Sequence, residues 1–230
     1  MQGIIFDLDG TLIDSAPTIL RSLQESCASV GIDTSKCNFV STLIGPPIAQ
    51  IVQKLIPGIE DEKCQAVAKA FRTIYDNCGH KDTLLYPGID EMLKKLKEQG
   101  KRLFVCTNKP SMPTDVILTN LKIKEYFEDV VTVNSKPDIK LTKSQMIEEV
   151  LNQNAGDFVM VGDCVSDIDA AHKNSIKGIA ASYGYEQNKE ELLKKADETF
   201  DSVESLKCYL CEEKNDKING LYCKKTERSL

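Results

Sequence analysis

The first dozen residues constrain the possible folds of this chain more than any other stretch. Ile4-Ile5-Phe6 is a short apolar run, and Asp7-Leu8-Asp9-Gly10-Thr11 follows it directly. An apolar run this short, ended by a glycine turn, predicts a buried strand whose carboxyl end carries two aspartates. In open parallel α/β sheets, ligands bind at that end of the strands. Two carboxylates two residues apart repel each other unless a cation or a shared proton relieves them, and Mg²⁺ prefers such oxygen ligands.

Strand and helix patterns alternate along most of the remaining chain. Four further apolar runs of strand length are separated by helical stripes, such as the one from Ile89 to Leu96 that ends at Gly100. This alternation predicts an α/β fold with a Rossmann-like parallel sheet and helices on both faces. The four runs are Leu103–Cys106, Val130–Val133, Phe158–Val161 and Ile176–Ala181.

One long stretch has no strand-like alternation. From Ser35 to Cys78 the chain carries helical stripes, interrupted at Gly45-Pro46-Pro47 and again at Pro57-Gly58. This pattern predicts a small α-helical cap domain inserted after the first strand. We therefore expect three parts, in which residues 1–14 and 84–211 form the α/β core, residues 15–83 form the helical cap and residues 212–230 form a polar, frayed tail.

Composition narrows the class of partners. With 41% apolar and 28% charged residues the chain resembles an ordinary globular protein, and its net charge of −6 argues against a general nucleic-acid binder. No apolar segment reaches the length of a membrane span, and Asp7 and Asp9 interrupt the place where a signal peptide needs its apolar region. We expect a cytoplasmic protein, monomeric or homodimeric, that binds neither nucleic acid nor membrane.

The cysteines indicate reduced thiols. An odd number without an export signal fits free thiols better than a disulfide framework. Cys208, Cys211 and Cys223 are candidates for three zinc ligands, but a structural zinc site normally has four and no histidine is near them. Partly buried helical cysteines are therefore the preferred interpretation. The nine are Cys27, Cys37, Cys64, Cys78, Cys106, Cys164, Cys208, Cys211 and Cys223.

Two later strands also end in polar residues. Thr107 and Asn108 follow the second strand, where a hydroxyl and a backbone N–H suit a phosphate oxygen, although a helix cap before Pro110 is the structural alternative. Asp163 ends the fourth strand, and Asp167 lies about one helical turn further on. The structural alternative for these two acids is a helix start stabilised by the helix dipole.

These strand ends resemble the motifs of the haloacid dehalogenase (HAD) superfamily. The first strand is followed by Asp-x-Asp-Gly-Thr, the second ends in a threonine, and the fourth ends in Gly-Asp with a second Asp four residues on. The helical insert lies where this family has its C1 cap. The stretches Leu43-Ile-Gly-Pro-Pro47 and Tyr86-Pro-Gly88 resemble the phosphoglycolate phosphatase-like branch. Cys164 is a departure, because many relatives carry Ser or Thr there.

The resemblance implies a Mg²⁺-dependent phosphatase that acts on a small phosphorylated metabolite. Asp7 would attack the phosphorus and form an aspartyl-phosphate, while Asp9 would protonate the leaving oxygen and later take a proton from water. The Mg²⁺ ligands would be the carboxylates of Asp7 and Asp163 and the backbone carbonyl of Asp9. The remaining expected site residues are Thr107, Asn108 and a lysine, which would bind phosphate, and Asp167, which would orient the site.

Three lysines are candidates for the phosphate-binding cation. Ser135-Lys136-Pro137 has the common Lys-Pro form of the family motif, whereas Lys143 begins the helix that leads into the fourth strand. The second placement suits the family better. We therefore expect Lys143 to bind the phosphate, with Lys140 as the next candidate.

Other functions share parts of this pattern. A pyrophosphatase, a nucleotidase or a sugar-phosphate mutase would use the same core, although no sugar-binding feature of a mutase cap is recognisable. A phospho-aspartate signalling receiver also has acids, a threonine and a lysine at its strand ends. Its phosphorylated aspartate ends a later strand, however, and no large helical insert follows its first strand. A catalytically inactive interaction protein is disfavoured because the four motifs are intact.

Overall fold

The computed structural model describes residues 1–211, without the side chains at positions 78 and 79. Six of its strands form one sheet in which every neighbouring pair is parallel, so the predicted parallel α/β fold is confirmed. The strands are β1 (Gly3–Phe6), β2 (Ile13–Asp14), β3 (Leu84–Leu85), β4 (Arg102–Thr107), β5 (Asp129–Thr132), β6 (Phe158–Gly162), β7 (Lys177–Ala181) and β8 (Glu198–Phe200). The order in the six-stranded sheet is β5-β4-β1-β6-β7-β8.

Strand β1 lies in the centre of this sheet, with β4 on one side and β6 on the other. Its last residue, Phe6, is in register with Val105 of β4 and with Val161 of β6. The three strands therefore end at the same edge of the sheet. The polar residues that follow them in the sequence are brought together at that edge.

Helices cover both faces of the sheet. Ile4 and Phe6 belong to an apolar cluster that includes the helices after β3 and β8, whereas Ile5 belongs to a second cluster with the helix before β6. Because alternate side chains of a strand point to opposite faces, a strand buried on both faces needs a continuous apolar run. The helices are α1 (Ala16–Ser29), α2 (Ile48–Leu55), α3 (Asp61–Ile74), α4 (Ile89–Glu98), α5 (Ser111–Asn120), α6 (Lys143–Gln153), α7 (Val165–Lys173), α8 (Lys189–Lys195) and α9 (Val203–Cys211).

Helices α1 to α3 form a helical insert, residues 15–83, with an apolar cluster of its own. Leu23 of α1, Ile51 of α2 and Val67 of α3 are buried together in this cluster. The chain leaves and rejoins the sheet where β2 and β3 pair antiparallel, so the two crossings lie side by side. The division into a cap at 15–83 and a core on either side of it stays a prediction.

Three strands have no signal in the sequence pattern. Strands β2 and β3 contain two residues each, and β8 contains three residues that are all partly exposed. Such segments are too short for an apolar alternation to be read. Their places are set by the neighbouring strands with which they pair.

Some predictions concern regions away from the sheet edge. Among residues 1–211, no helix has both the length and the apolar character that crossing a membrane requires. On α9, Cys208 is exposed whereas Cys211 is buried, so these thiols lie in different environments. The predicted polar tail at 212–230, with Cys223 as a third candidate zinc ligand, lies outside the described residues.

Candidate active site

Asp7, Lys143 and Asp167 form a buried charged cluster at the carboxyl edge of the sheet. Lys143 Nζ lies 2.5 Å from Asp7 Oδ1 and 2.9 Å from Asp167 Oδ1. The same ammonium group donates to the backbone carbonyl of Cys106 at 2.9 Å. The three charged residues are all buried. One cation thus serves two carboxylates where little water screens the charges.

The local sequence explains how Lys143 reaches this cluster. Lys143 is the first residue of α6, and a capping box fixes the start of that helix. The Gln145 N–H donates to Thr142 Oγ1 at 3.3 Å, and Gln145 Oε1 accepts from the Thr142 N–H at 2.9 Å. Met146, one turn in, is buried in the sheet core. The helix start is therefore held against the sheet edge, next to Asp7.

The other two lysine candidates lie elsewhere. Lys136 is exposed and forms an ion pair with Glu149, and Lys140 is exposed. Of the three candidates, the structure therefore brings only Lys143 to Asp7. That Lys143 binds the phosphate of a substrate stays a prediction.

Asp163 lies beside this cluster, where backbone groups pack closely around its carboxylate. Its Oδ2 accepts a 2.6 Å hydrogen bond from the N–H of Tyr185. A Cβ placed on Gly10 would lie 2.3 Å from Asp163 Oδ2, and one on Gly184 would lie 2.2 Å from Asp163 Cβ. Gly10 also has a φ of +82°, in the left-handed region that glycine adopts without strain. The glycine of the first motif thus makes room for an aspartate that follows another strand.

Cys164 and Asp167 complete this side of the site. Asp167 Oδ2 accepts a 3.1 Å hydrogen bond from the N–H of Cys164, so both oxygens of Asp167 have protein partners. Cys164 Sγ lies 3.6 Å from Asp163 Oδ1. Within residues 1–211, Asp163, Cys164 and Asp167 each offer a ligand atom, and these atoms lie within 4.8 Å of one another. The orienting role expected for Asp167 fits this arrangement and stays a prediction.

Asp9 lies apart from the cluster and has a lysine of its own. Lys109 Nζ donates to Asp9 Oδ1 at 2.9 Å and to Oδ2 at 3.1 Å, and the Ser15 hydroxyl donates to Oδ1 at 2.5 Å. The side chains of the two aspartates in the first motif are therefore paired with different lysines, and the divalent cation expected between them stays a prediction. Lys109 is absent from the predicted site residues. Its only signal in the sequence is its position directly after Thr107-Asn108.

Thr107 and Asn108 lie at the end of β4, as the sequence predicts. Thr107 is the buried last residue of β4, and its hydroxyl oxygen accepts from the Lys109 N–H at 3.1 Å. Helix α5 begins at Ser111 after Pro110, without a side-chain cap, so Thr107 is not a cap of that helix. Asn108 is exposed and lines the cavity beside the site. Binding of phosphate by these two residues stays a prediction.

A cavity of about 500 Å³ lies between the sheet edge and the helical insert. Asp7, Asp163 and Lys143 line it on the sheet side. Apolar side chains of the insert, Ile48 and Phe71 among them, line the opposite side. A cavity of this size with a few converging polar groups is typical of a small-molecule site.

Gln187 joins the two sides of this cavity. It lies on the loop between β7 and α8, and its side-chain amide donates to the backbone carbonyl of Thr42 in the insert at 2.7 Å. Its side-chain carbonyl accepts from Lys54 Nζ of α2 at 3.4 Å. The insert is therefore in direct contact with a loop at the carboxyl edge of the sheet. Neither Gln187 nor the nearby Tyr185 has a sequence signal that marks it.

The buried cluster has more acidic groups than basic ones. Burial raises the pKa of the Asp7 carboxyl to about 7, although Lys143 opposes the shift. Burial and the nearby Asp7 raise the pKa of Asp163 well above its usual range. Asp7 and Asp167 contact the Lys143 ammonium, and Asp163 lies beside Asp167 as a third acidic group. An acidic set of oxygen donors of this kind fits a hard divalent cation such as Mg²⁺.

Comparison with known proteins gives a family match over most of the chain. Residues 4–181 match the family of haloacid dehalogenase-like hydrolases. A phosphoglycolate phosphatase of Psychrobacter arcticus is 29% identical over 219 residues, which cover 91% of this chain and 95% of that protein. One of Vibrio vulnificus is 31% identical over 214 residues, covering 88% and 93%. The crystal structure of a predicted phosphoglycolate phosphatase from Haemophilus somnus has a TM-score of 0.76 at 28% identity, covering 91% of this chain and 98% of that one.

The chain therefore belongs to the haloacid dehalogenase-like hydrolases, since the family model matches most of its length. This result confirms the family predicted from the strand ends and the fold class predicted from the alternation of strands and helices. The predicted enzyme class, a phosphoric monoester hydrolase, is confirmed with it.

Proposed function

We propose that this protein is a Mg²⁺-dependent phosphatase that hydrolyses a small phosphomonoester, similar to phosphoglycolate, through an aspartyl-phosphate on Asp7. The observation that carries the proposal is the position of Asp7. Its carboxylate is buried at the carboxyl edge of the sheet, lines a cavity of about 500 Å³ and lies 2.5 Å from the ammonium of Lys143. The names of the relatives in Psychrobacter and Vibrio support the substrate class.

In the first half of the reaction, a carboxylate oxygen of Asp7 attacks the phosphorus of the substrate. The bond between Asp7 and phosphorus forms as the bond to the leaving oxygen breaks, and Asp9 gives a proton to that oxygen. Lys143 and the Thr107 hydroxyl hold the remaining phosphate oxygens. Their contribution is positioning and charge stabilisation, which dominate phosphoryl transfer.

In the second half, water attacks the phosphorus of the aspartyl-phosphate. The bond from the water oxygen to phosphorus forms, the bond to Asp7 breaks, and Asp9 takes a proton from the water. Free phosphate leaves, and both carboxylates return to their starting state. The same residue thus acts first as an acid and then as a base.

Mg²⁺, when bound, offsets the negative charge of the phosphate and of the carboxylates around it. The carboxylates of Asp7 and Asp163 and the backbone carbonyl of Asp9 would hold it. Asp167 keeps Lys143 in place, because it contacts the ammonium at 2.9 Å. The backbone around Gly10 and Gly184 holds Asp163 in one position.

The helical insert at 15–83 would act as a cap that closes over the substrate and excludes water. The apolar side chains of the insert and the cavity of about 500 Å³ favour a small metabolite over a macromolecule. We place the protein in the cytoplasm, as a monomer or homodimer without a nucleic-acid or membrane partner.

A screen of phosphorylated compounds with purified protein and Mg²⁺ tests this function. Phosphoglycolate, pyrophosphate, a nucleoside monophosphate and a hexose phosphate represent the competing enzymes. Highest kcat/KM on phosphoglycolate supports the proposal. A preference for pyrophosphate or the nucleotide would transfer the protein to those activities, and isomerisation of the hexose phosphate without phosphate release would make it a mutase. A protein that keeps its phosphate without turnover would be a receiver.

A further inference from the structure

Lys109 is the buried cation of the site to which the proposed chemistry gives no part. It is 7% exposed, and its ammonium donates to both oxygens of Asp9, at 2.9 and 3.1 Å. Because both oxygens contact the same ammonium group, the plane of the Asp9 carboxylate is fixed relative to the Lys109 side chain. A lysine this deeply buried is retained only with a close partner of opposite charge.

The two oxygens of Asp9 are not equivalent. Oδ1 accepts from the Ser15 hydroxyl at 2.5 Å as well as from Lys109, whereas among residues 1–211 Oδ2 accepts from Lys109 alone. An ionised carboxylate oxygen accepts about two hydrogen bonds. Oδ2 therefore keeps the capacity to accept one more proton donor.

Tyr75 of the helical insert covers Lys109. The ammonium lies 5.0 Å from the centroid of the Tyr75 ring, a distance at which a cation–π attraction operates. Tyr75 itself is 4% exposed and stacks on Phe71 of α3, with ring centroids 5.2 Å apart. The position of Lys109, and through it that of Asp9, is thus tied to the packing of the insert.

We propose that Lys109 is a positioning residue that holds the Asp9 carboxylate in place for the attack of water on the aspartyl-phosphate. In this proposal the Tyr75 ring of the helical insert holds the Lys109 ammonium in position. The inference rests on the proposed function, in which Asp9 is the base of that step. Through its contacts with both oxygens, the Lys109 ammonium holds the carboxylate in one orientation for this step. With Oδ1 occupied by two donors, the proton of the attacking water passes to Oδ2 as the bond from Asp7 to phosphorus breaks.

Rapid mixing with p-nitrophenyl phosphate and Mg²⁺ separates the two halves of the reaction. Nitrophenolate departs without needing a proton, so its burst reports formation of the aspartyl-phosphate. The later steady rate, together with the phosphate found on acid-quenched protein, reports the attack of water. Burst amplitude counts the active molecules, so the rate constants do not depend on the fraction that is folded. The proteins compared are the wild type, Lys109→Met, Tyr75→Leu, Tyr75→Phe and Lys136→Met, the last a matched loss of an exposed lysine.

We expect Lys109→Met to slow breakdown of the aspartyl-phosphate on the order of 10²-fold, the lower range for loss of a positioned base, with a burst rate close to that of the wild type. Tyr75→Leu should slow the same step about ten-fold, as loss of a buried cation–π contact predicts. Tyr75→Phe keeps the ring and should behave as the wild type. Lys136→Met should leave both steps unchanged.

Four results would overturn the inference. Equal slowing of both steps by Lys109→Met would make Lys109 a phosphate ligand or a purely structural residue. An unchanged breakdown rate would remove it from the water step. Damage by Tyr75→Phe equal to that of Tyr75→Leu would assign the effect to the hydroxyl instead of the ring. A wild type that never forms an aspartyl-phosphate would overturn the proposed function, and the inference with it.

Discussion

The site contains two lysine–aspartate pairs that consist of the same chemical groups and differ in their surroundings. Lys143 Nζ lies 2.5 Å from Asp7 and also contacts Asp167, and Asp163 is close by as a third carboxylate. Lys109 contacts Asp9, which is its one carboxylate partner within residues 1–211, and lies under the Tyr75 ring. The first group has three acidic side chains for one ammonium, whereas the second has one of each.

The difference shows where the site has room for further positive charge. Around Asp7, one ammonium cannot neutralise three buried carboxylates, so a divalent cation would lower the electrostatic energy. Around Asp9 the ammonium of Lys109 already balances the carboxylate, so another cation would lower the electrostatic energy only slightly. Under the proposed function, the pair at Lys143 would take part in phosphate and metal binding, and the pair at Lys109 would hold one catalytic carboxylate in place. The five predictions below test this contrast, from the largest expected effect to the smallest.

Asp7→Asn should abolish turnover and leave the fold intact. The amide keeps the size of the side chain but cannot form the covalent intermediate. Steady-state kinetics on the substrate found in the screen, with circular dichroism to check folding, measure both effects. A variant that retains a tenth of the wild-type kcat, a difference of about 1.4 kcal/mol in barrier, would remove Asp7 from the role of nucleophile.

Removal of the metal should also stop the reaction. Chelation should abolish turnover and Mg²⁺ should restore it, while Asp163→Asn should raise the Mg²⁺ concentration needed for half-maximal rate. Ca²⁺ should substitute poorly because its coordination is larger and looser. Rates titrated against each metal give the comparison. Full activity in excess chelator would contradict a metal at the group of three carboxylates.

Lys143→Ala should lower kcat on the order of 10²–10³-fold, by analogy with loss of one oxyanion donor from a site that excludes water. Lys136→Ala is the matched control, because that lysine is exposed and pairs with Glu149. It should be nearly silent. If Lys136→Ala or Lys140→Ala proves damaging while Lys143→Ala is tolerated, the lysine of the third motif is misassigned.

The effect of pH on stability should depend on Mg²⁺. In the metal-free protein, burial raises the pKa of Asp7 to about 7, above the value of about 3.9 for an unfolded chain. The folded state then binds more protons than the unfolded state, so stability falls as pH rises from about 4 through about 7.

Mg²⁺ competes with those protons, so its stabilisation should be larger at pH 8 than at pH 5. At a concentration 100 times the Kd it amounts to about 2.7 kcal/mol. Calorimetric melting with and without Mg²⁺ at both pH values measures the difference. Equal shifts in Tm at the two pH values would show that protons and metal do not share these carboxylates.

Cys164→Ser should have the smallest effect. The Cys164 side chain lies 3.6 Å from Asp163 Oδ1, and a serine hydroxyl at this position can donate to the same oxygen. We expect a change in the free energy of unfolding of about 0.5 kcal/mol or less and an unchanged Mg²⁺ requirement. A large rise in the Mg²⁺ requirement would show that the thiol takes part in the metal site.

The sequence by itself determined the features that depend on neighbouring residues. The apolar run before Asp7 predicts a buried strand, because a strand buried on both faces needs side chains that are apolar throughout. The prediction that Lys143 lies at a helix start rests on the helical stripe that follows it. The glycine after Asp9 predicts the turn, since a φ of +82° is strained for any other residue. Each of these signals lies within a few residues of the feature it predicts.

Only the tertiary structure decided which charges meet. Lys143 and Asp7 are 136 residues apart, and Lys109 and Asp9 are 100 apart, so no local pattern connects them. The Lys109 ion pair, the Tyr75 ring above it and the packing of Gly184 against Asp163 all lack a sequence signal. They depend on β4 and β6 both lying beside β1, and on the insert folding back over the edge where these strands end. Strand order and long-range packing, which no short stretch of sequence encodes, brought these residues into contact.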